Sequence, residues 1–489
     1  DFYYAPPSGH LALCTDNLPA PLISGVQAPK NFNTLLYTGN ASPRTVTGVG
    51  FDSDLIWIKS RTTASNNVVQ DKVRGGGIRL STNTQDVEGT DPNGMTAFAT
   101  DGFTIGGTGG DGSYNTTDAN YVAWNWKARG GTAATQTFTV TVTNPGSGNK
   151  YTLDGRVSGT NAIPVTIEEG GTYTFDQSAA SNSGHPLRFS TTSDGTHGGG
   201  TEYTTGVTVS GTPGNAGAKT VITVAASAAT LYFYCANHSG MGSTANTPAA
   251  GGGVSNYDGL IQSAVNVNTT AGFSIVSYTS DGTNNTTVGH GLSQAPDLWI
   301  TKCRTAASTD WDSFFTVVDG SVDFMRLNTD AADGDSGRTA PTASVFYVGN
   351  NNNQGASGDD YIAYCFHSIE GYSKVGSYVG NGVSNGGPFI YLGFKPAYLL
   401  VKNTTGAQWW MSFDDKRNTY NPITYEGYAN SNVAEGNNIG ATNGPGTWDF
   451  VSNGIKNMRK AAEDGTNTSG SVYLYYAVAE SPFKTSNAG

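Results

Sequence analysis

The chain has 489 residues, of which 66 are glycine and only 13% are charged, with a formal net charge of −12. This acidic balance and the scattered Lys and Arg side chains exclude a nucleic-acid groove, which needs a basic stripe to neutralise phosphates. No run approaches the ~18 consecutive apolar residues of a membrane-spanning helix. The length exceeds the ~250–300 residues at which single cores stop growing, so we expect several domains. Abundant turn residues, apolar residues at spacing two and no sustained helical periodicity predict an all-β chain.

The first segment, residues 1–30, begins inside a strand-like run, Asp1-Phe2-Tyr3-Tyr4, and ends in the Pro-rich stretch Leu18-Pro19-Ala20-Pro21. We interpret this segment as the last strands of an upstream domain with a linker, and we expect the chain to be part of a longer polypeptide. Cys14 lies in this segment and has no obvious partner.

One strand pattern then occurs three times, in modules at residues 31–128, 258–369 and 370–489. Each copy has an aromatic-flanked strand, a Gly-rich turn, a second strand ending in a basic residue and a closing aromatic strand. The opening runs are Leu35-Leu36-Tyr37-Thr38, Ile275-Val276-Ser277-Tyr278 and Val375-Gly376-Ser377-Tyr378, and the second strands end at Lys59, Lys302 and Lys402. Repeated modules of this size are typical of reach and adhesion rather than catalysis. The short junction at residues 370–372 predicts that the last two modules pack as a rigid pair.

Between the first two modules lies a separate unit, residues 136–247, flanked by the Gly-rich stretches 129–134 and 247–253, which predict soft linkers. Its strand-like run Thr230-Leu231-Tyr232-Phe233-Tyr234 leads directly into Cys235, His238 and Met241, and an earlier strand region supplies His185. A thiolate, two imidazoles and a thioether form a ligand set that suits copper. Because His185 is distant in sequence, the site forms only if the sheet brings this residue over the loop.

This unit resembles the cupredoxin family of blue-copper proteins. The resemblance implies a Greek-key sandwich in which His185, Cys235 and His238 are the equatorial copper ligands and Met241 is the axial ligand. The alternative is a sandwich kept only as a packing module, with these side chains as ordinary core residues. If copper is present, we expect it to clamp the loop to the sheet and so stabilise the folded state.

Several other segments resemble modules of tail-fibre and other virion proteins of marine bacteriophages. They are Phe2-Tyr3-Tyr4-Ala5-Pro6-Pro7-Ser8-Gly9, Leu11-Ala12-Leu13-Cys14, Asn31-Phe32-Asn33-Thr34, Val288-Gly289-His290-Gly291-Leu292, Tyr372-Ser373-Lys374-Val375-Gly376-Ser377-Tyr378 and Asp415-Lys416-Arg417-Asn418. The opening segment is similar to the end of a SPRY-type, concanavalin-like domain. The resemblance implies jelly-roll-like β-sandwich modules in a virion protein that attaches to the host.

That resemblance also sets the expected partners and location. We expect other virion proteins, a host-surface receptor or glycan, and a closed homo-oligomer such as a trimer, on the exterior of a virus particle. The alternative function is an extracellular blue-copper protein for metal binding or electron transfer, with the flanking modules as adhesive carriers.

The remaining candidate sites are weaker. Asp330, Asp333 and Asp335 suggest a calcium loop, but the ligand spacing favours a polar hairpin. Cys303 and Cys365 either meet across a sheet or, as we prefer, are two buried thiols. In Trp409-Trp410 we expect one ring to face the core and the other to face outward, as a sugar platform or under a neighbouring module.

Catalytic patterns are also missing from the sequence. No nucleophile elbow, zinc-protease motif or paired-carboxylate signature occurs, so we predict that the protein is not an enzyme. The alternative, glycan-cleaving carboxylates scattered over a β-scaffold, leaves no sequence pattern. His290 occupies a position held by Val49 in the first repeat, which favours a role in a turn over catalysis.

Overall fold

The computed structural model of the protein describes residues 31–107, 112–384, 386–437, 448–458 and 465–480. Within these ranges the chain is built from β-strands in several sheets, accompanied by two short 3-10 turns at Ala180–Asn182 and Gly195–Gly198, which confirms the all-β prediction. The predicted end of an upstream domain, residues 1–30 with Cys14, lies outside the described residues. In the described part of the chain, no helix has the length and apolar character needed to cross a bilayer.

Module 1 has a six-stranded sheet in the order β1-β9-β3-β4-β5-β6 and a three-stranded sheet in the order β2-β8-β7. Its strands are β1 (Phe32–Thr38), β2 (Arg44–Thr47), β3 (Leu55–Ser60), β4 (Val68–Asp71), β5 (Ile78–Ser81), β6 (Gly89–Thr90), β7 (Met95–Ala99), β8 (Gly102–Ile105) and β9 (Asn120–Trp126).

The cupredoxin-like unit follows, with a five-stranded sheet β11-β10-β15-β18-β17, a four-stranded sheet β14-β20-β19-β16 and the hairpin β12-β13. Two strand pairs are parallel, β10 with β15 and β14 with β20. The strands are β10 (Thr135–Thr143), β11 (Lys150–Leu153), β12 (Val157–Ser158), β13 (Asn161–Ala162), β14 (Val165–Thr166), β15 (Thr172–Asp176), β16 (Leu187–Ser190), β17 (Val207–Ser210), β18 (Lys219–Thr223), β19 (Leu231–Cys235) and β20 (Ser243–Asn246).

Module 2 has an eight-stranded sheet, β21-β22-β23-β30-β25-β26-β27-β28, and the pair β24-β29. Its strands are β21 (Val254–Asn256), β22 (Ser263–Asn268), β23 (Phe273–Thr279), β24 (Thr286–Gly289), β25 (Leu298–Cys303), β26 (Trp311–Phe315), β27 (Asp323–Arg326), β28 (Gly334–Asp335), β29 (Val345–Val348) and β30 (Asp360–Phe366). The sheet begins upstream of the predicted boundary at residue 258, because β21 pairs with β22.

Module 3 repeats the arrangement of module 1, with sheets β31-β39-β33-β34-β35-β36 and β32-β38-β37. Its strands are β31 (Ser373–Val379), β32 (Phe389–Tyr391), β33 (Pro396–Asn403), β34 (Met411–Asp414), β35 (Tyr425–Tyr428), β36 (Gly436–Asn437), β37 (Trp448–Val451), β38 (Gly454–Asn457) and β39 (Val472–Ala479).

The three modules share one topology, and an aromatic pair marks the same place in each. The first and last strands of the motif pair Tyr37 with Tyr121, Tyr278 with Tyr361 and Tyr378 with Tyr473. The rings of each pair stack, with centroids 5.0, 5.4 and 4.9 Å apart. The sequence repeat therefore corresponds to a repeat of the same sandwich.

The modules contact one another head to tail and close into a ring. Equivalent backbone bonds run from Glu435 N–H to the Arg61 carbonyl at 3.1 Å, from Glu88 N–H to the Arg304 carbonyl at 3.0 Å, and from Asp333 N–H to the Thr404 carbonyl at 2.7 Å. They join module 3 to module 1, module 1 to module 2 and module 2 to module 3. Because the same positions meet at all three interfaces, the ring has pseudo-threefold symmetry.

A second set of equivalent bonds joins the same three interfaces, with the donor and acceptor modules exchanged and with different donor side chains. Each comes from the residue at or just before the start of the fourth strand of the motif and ends on a carbonyl of the neighbouring module. The bonds are Asn67 Nδ2 to the Tyr428 carbonyl at 2.9 Å, Trp311 Nε1 to the Ser81 carbonyl at 2.9 Å and Trp410 Nε1 to the Arg326 carbonyl at 3.0 Å. Two of these interfaces also carry ion pairs, Arg61 with Glu435 at 2.7 Å and Arg304 with Glu88 at 2.8 Å.

One continuous hydrophobic core spans the three modules. At its centre lies a small apolar cavity of about 30 Å³, lined by the equivalent residues Leu55, Leu298 and Tyr398 together with neighbours from every module. The predicted rigid pairing of modules 2 and 3 therefore extends to module 1, because the large sheets of all three turn their apolar faces toward a common axis.

The Gly-rich stretches that predict soft linkers are hydrogen-bonded into the structure instead. Asp54 accepts a bond from Gly130 N–H at 2.5 Å and one from Asn266 Nδ2 at 3.0 Å. Glu168 accepts a bond from Gly251 N–H at 3.0 Å and is ion-paired with Arg129. Both carboxylates are buried, so they fix the cupredoxin-like unit to modules 1 and 2.

Three expectations about individual residues can be compared with this fold. Cys303 and Cys365 are buried free thiols, as we preferred, and they lie opposite Tyr361 and Trp299, four positions apart along one ladder. Asp330 and Asp333 lie in the turn of the polar hairpin that joins β27 to β28, and Asp335 lies in β28 opposite Asp323.

His290 takes the structural role expected of it. Its side chain is fully buried; Nδ1 accepts a bond from Leu292 N–H at 3.0 Å and Nε2 lies 3.1 Å from the Thr342 carbonyl. This pair of contacts fits a neutral imidazole that donates from Nε2. Burial lowers the pKa of His290 to about 4.

We expect this depressed pKa to make stability fall with acid. His290 binds a proton near pH 6.5 in the unfolded chain but only near pH 4 in the folded chain. Its contribution to the free energy of unfolding is therefore complete above pH 6.5 and is lost as the pH falls toward 4. Urea unfolding at pH 7 and pH 4 should show wild type losing about 3 kcal/mol more than His290→Val, which places the valine of module 1 at this position. Equal losses in the two proteins would contradict the assignment.

Candidate metal centre

The structure brings together three of the four predicted metal ligands. Donor atoms of His185, Cys235 and His238 all lie within 4.8 Å of one another. Cys235 Sγ is 3.8 Å from His185 Nδ1 and 3.6 Å from His238 Nδ1, and the two imidazole ring centroids are 4.6 Å apart. This is the one such group of metal-binding side chains found among the described residues.

Strand pairing explains how the distant histidine reaches the loop. Strand β19 ends at Cys235, which pairs with Leu187 at the start of the antiparallel strand β16. His185 lies two residues before Leu187, and His238 lies three residues after Cys235, so the two flanking loops emerge at the same end of the sheet. The register of β16 against β19 therefore sets the site.

Hydrogen bonds from the surrounding unit fix the position of the His185 backbone. Tyr151 Oη and Gln177 Nε2 each donate to the His185 carbonyl at 2.8 Å. Asn237 Nδ2, inside the cysteine loop, donates to the Gly184 carbonyl at 2.9 Å, which links the two loops directly. Such outer contacts orient the ligands before a metal arrives.

Met241 lies on the same loop, with a side chain that is buried in the core of the unit. Its carbonyl accepts a bond from Tyr151 N–H at 2.9 Å. The following residue must be glycine, because a Cβ on Gly242 would lie 1.7 Å from the Phe233 carbonyl oxygen. The close return of the chain over β19 therefore fixes the backbone beside Met241.

The donor spacing fits a single transition-metal ion. Two ligands bonded at ~2.0–2.3 Å and separated by ~110–120° lie about 3.5–3.8 Å apart, which matches the two sulfur–nitrogen distances. Cys235 is buried, His185 is half-buried and His238 is exposed. Burial, followed by the neighbouring His238, lowers the pKa of His185, which keeps that imidazole in the neutral form that binds metal.

The chemistry of these donors narrows the choice of metal. One thiolate and two imidazoles suit copper or zinc and do not suit calcium or magnesium, which prefer oxygen. A Cys-His-His set accompanied by a methionine is a combination of donors that favours copper.

The other candidate from the sequence, the Trp409-Trp410 pair, has one buried and one exposed side chain. Trp410 is buried against module 2, whereas Trp409 is 38% exposed and packs edge-on against Tyr428, so one ring faces inward and the other outward as expected. Sequence reasoning missed a pair of exposed rings, Phe389 and Tyr391 on β32. Their aromatic–apolar–aromatic alternation around Ile390 was the signal that could have found them.

Comparisons with known proteins add a family without a known activity. A family model described as "Domain of unknown function (DUF7483)" matches residues 27–153 and 220–482. The matched residues include Cys235, His238 and Met241, whereas His185 falls between the two matched ranges. Neither the curated proteins nor the solved structures contain a match to this chain.

Proposed function

The chain belongs to the DUF7483 family, a domain of unknown function that carries no activity to transfer, and we propose that it is a structural and host-attachment protein of a bacteriophage particle whose cupredoxin-like unit holds one copper ion. The observation that carries the copper part is the convergence of His185, Cys235 and His238 at metal-ligand spacing. The structural part rests on the closed ring of sandwiches, together with the resemblance of their segments to virion modules.

The ring of three modules suits a protein that bears mechanical load at the surface of a particle. Three sandwiches share one apolar core, and every interface repeats an equivalent backbone bond and a side-chain bond to an equivalent carbonyl. Multiple buried contacts between modules give a stiff body rather than a string of mobile domains. Loops at its rim are then held in fixed positions, as recognition of a host surface requires.

In this proposal the copper ion has a structural role. It joins the loop that carries His238 to the strand end that carries Cys235 and to the separate turn that carries His185. Because the ion binds the folded unit, it stabilises that unit by mass action, by about 4 kcal/mol at a thousandfold excess over its dissociation constant.

A second candidate function, electron transfer, is favoured by the exposure of His238. A redox partner could approach the metal through that imidazole, while Cys235 stays shielded from solvent. The bulky ring attached on both sides of the unit favours the structural role.

The test uses intact particles and the purified chain together. We expect mass spectrometry of purified virions to detect the chain, electron microscopy to place its ring on the particle exterior, and metal analysis to give one copper per chain. Recovery of the chain only outside the particles would overturn the virion role. Copper that cycles rapidly between oxidation states but does not raise the unfolding temperature would favour electron transfer, and zinc at full occupancy would overturn the copper assignment.

A further inference from the structure

The small sheet of module 3 presents two large aromatic rings to solvent. Phe389 and Tyr391 on the edge strand β32 are 48% and 62% exposed, while Ile390 between them is buried. The two exposed side chains therefore project from the same face, about 7 Å apart along the strand. Burying rings is favourable, so a pair left exposed on one face marks a contact surface.

Module 1 provides an internal reference for this face. The hairpins β7-β8 and β37-β38 turn at Asp101 and Asn453, and in both modules that residue's carbonyl accepts two successive N–H groups of the neighbouring strand, Gly48 and Val49 or Leu392 and Gly393. This alignment places Thr45 and Thr47 of β2 where module 3 has Phe389 and Tyr391. Both threonines are exposed, so the sandwich does not need rings at these positions.

The ring of Phe389 lies across the neighbouring strand. Its Cε2 and Cζ atoms are 3.0 Å from the position that a Cβ would take on Gly454, so the glycine leaves room for the ring to spread over the sheet. Module 1 has the same glycine, Gly102, beside a threonine. A glycine at this position therefore leaves space for an aromatic side chain on the neighbouring strand but does not require one.

Among the described residues, the charged side chains placed beside the two rings are two lysines and one aspartate. Lys374 Nζ lies 5.7 Å from the centre of the Tyr391 ring and donates to the Tyr391 carbonyl at 2.8 Å. Lys456 on β38 is the strand partner of Phe389, and Asp449 on β37 is the strand partner of Lys456 on its other side. Two lysines and one aspartate give this face a positive balance on a chain whose net charge is −12.

From these observations we propose that the outer face of β32, β38 and β37 in module 3 binds an acidic saccharide, with Phe389 and Tyr391 stacking on sugar rings and Lys374 and Lys456 pairing with carboxylates. This inference rests on the proposed attachment function and names its ligand class. Flat rings stack on the apolar faces of sugars, and the lysine charges select an acidic glycan over a neutral one.

The test measures binding of the full chain to polygalacturonate oligosaccharides and to neutral dextran oligosaccharides of equal length, by calorimetry at two salt concentrations. We expect polygalacturonate to bind and dextran to bind at least tenfold more weakly, with an affinity for polygalacturonate that falls as salt rises. Phe389→Thr/Tyr391→Thr, which copies module 1, should lose at least tenfold in affinity and unfold at an unchanged temperature. Leu260→Thr, which alters another side chain that is 70% exposed, serves as the matched control and should bind as wild type.

A second variant separates stacking from general stickiness. Phe389→Leu/Tyr391→Leu keeps apolar side chains but removes the flat rings, so we expect it to lose affinity as well. Binding of this variant at wild-type strength, equal affinity for dextran, or no saccharide binding by wild type would each overturn the proposal. Location of the chain on virions is measured separately, so a failure here leaves the virion role standing.

Discussion

Replacing Cys235 with serine is expected to abolish the visible thiolate-to-copper absorption band and to weaken copper binding more than any other single change in the chain. The thiolate is the one sulfur anion among the three clustered donors, and it lies within 3.8 Å of both imidazole nitrogens. Loss of an outer-shell partner costs ~10–100-fold in metal affinity, and loss of the ligand itself should cost more. Copper titration followed by absorption and by equilibrium dialysis measures both effects.

Two controls make this result specific. Cys303→Ser removes a buried thiol of module 2 and should leave the band unchanged. Gln177→Ala removes one of the two donors to the His185 carbonyl and should give an intermediate loss of affinity. An unchanged band in Cys235→Ser, or no band in wild type after copper addition, would reduce the unit to a packing module.

Replacing Asp71 with asparagine is expected to lower the free energy of unfolding by about 3–5 kcal/mol. Asp71 and Arg74 are fully buried, with Arg74 Nε 2.6 Å from Asp71 Oδ2, and Tyr364 of module 2 donates to the same carboxylate at 2.7 Å. Burial alone would lower the pKa of Arg74, but the Asp71 carboxylate outweighs burial and leaves that pKa raised. Arg74 still carries its charge when Asp71 is replaced, because a guanidinium is not deprotonated in proteins. An uncompensated buried charge at a module interface is the reason for the size of the loss.

The chain supplies its own comparison for this experiment. Module 3 has the same buried pair, Asp414 and Arg417, whereas module 2 has Phe315 and Val318 at the corresponding positions. Asp71→Phe/Arg74→Val should therefore destabilise less than Asp71→Asn, because no charge is left unpaired. Asp86→Asn, on an exposed carboxylate, should change stability by less than ~0.5 kcal/mol. A loss below ~1 kcal/mol in Asp71→Asn would contradict the expected cost of leaving Arg74 as an unpaired buried charge.

The sequence predicted the sandwiches because their signals are local. Tyr37, Tyr278 and Tyr378 recur at one place in a strand pattern, and alternating burial follows from that pattern. The cysteine loop was predictable for the same reason, since Cys235 and His238 are three residues apart. The donor chemistry could name His185 as a candidate, but its approach to Cys235 could not be derived from the sequence because that approach depends on the pairing of β16 with β19.

The ring could not be read from the sequence because its equivalent contacts use different residues. Asn67, Trp311 and Trp410 make the same bond, but an amide and two indoles do not look like a repeat. The Gly-rich stretches were misread as soft linkers for a related reason: Asp54 and Glu168, which bind them, are distant in sequence. Gly-rich composition indicates how flexible an isolated segment is. It does not indicate which distant residues will accept hydrogen bonds from that segment in the folded protein.

The interface between modules 1 and 3 has a consequence for synthesis. Lys59 Nζ donates to the Asn432 carbonyl, a partner 373 residues later in the chain. At ~5–20 residues per second, a ribosome needs roughly 20–75 s to deliver that partner. During this interval the indoles of Trp124 and Trp126 lack their contact with Tyr398 of module 3. We therefore expect nascent chains that stop before module 3 to depend on chaperones or to precipitate.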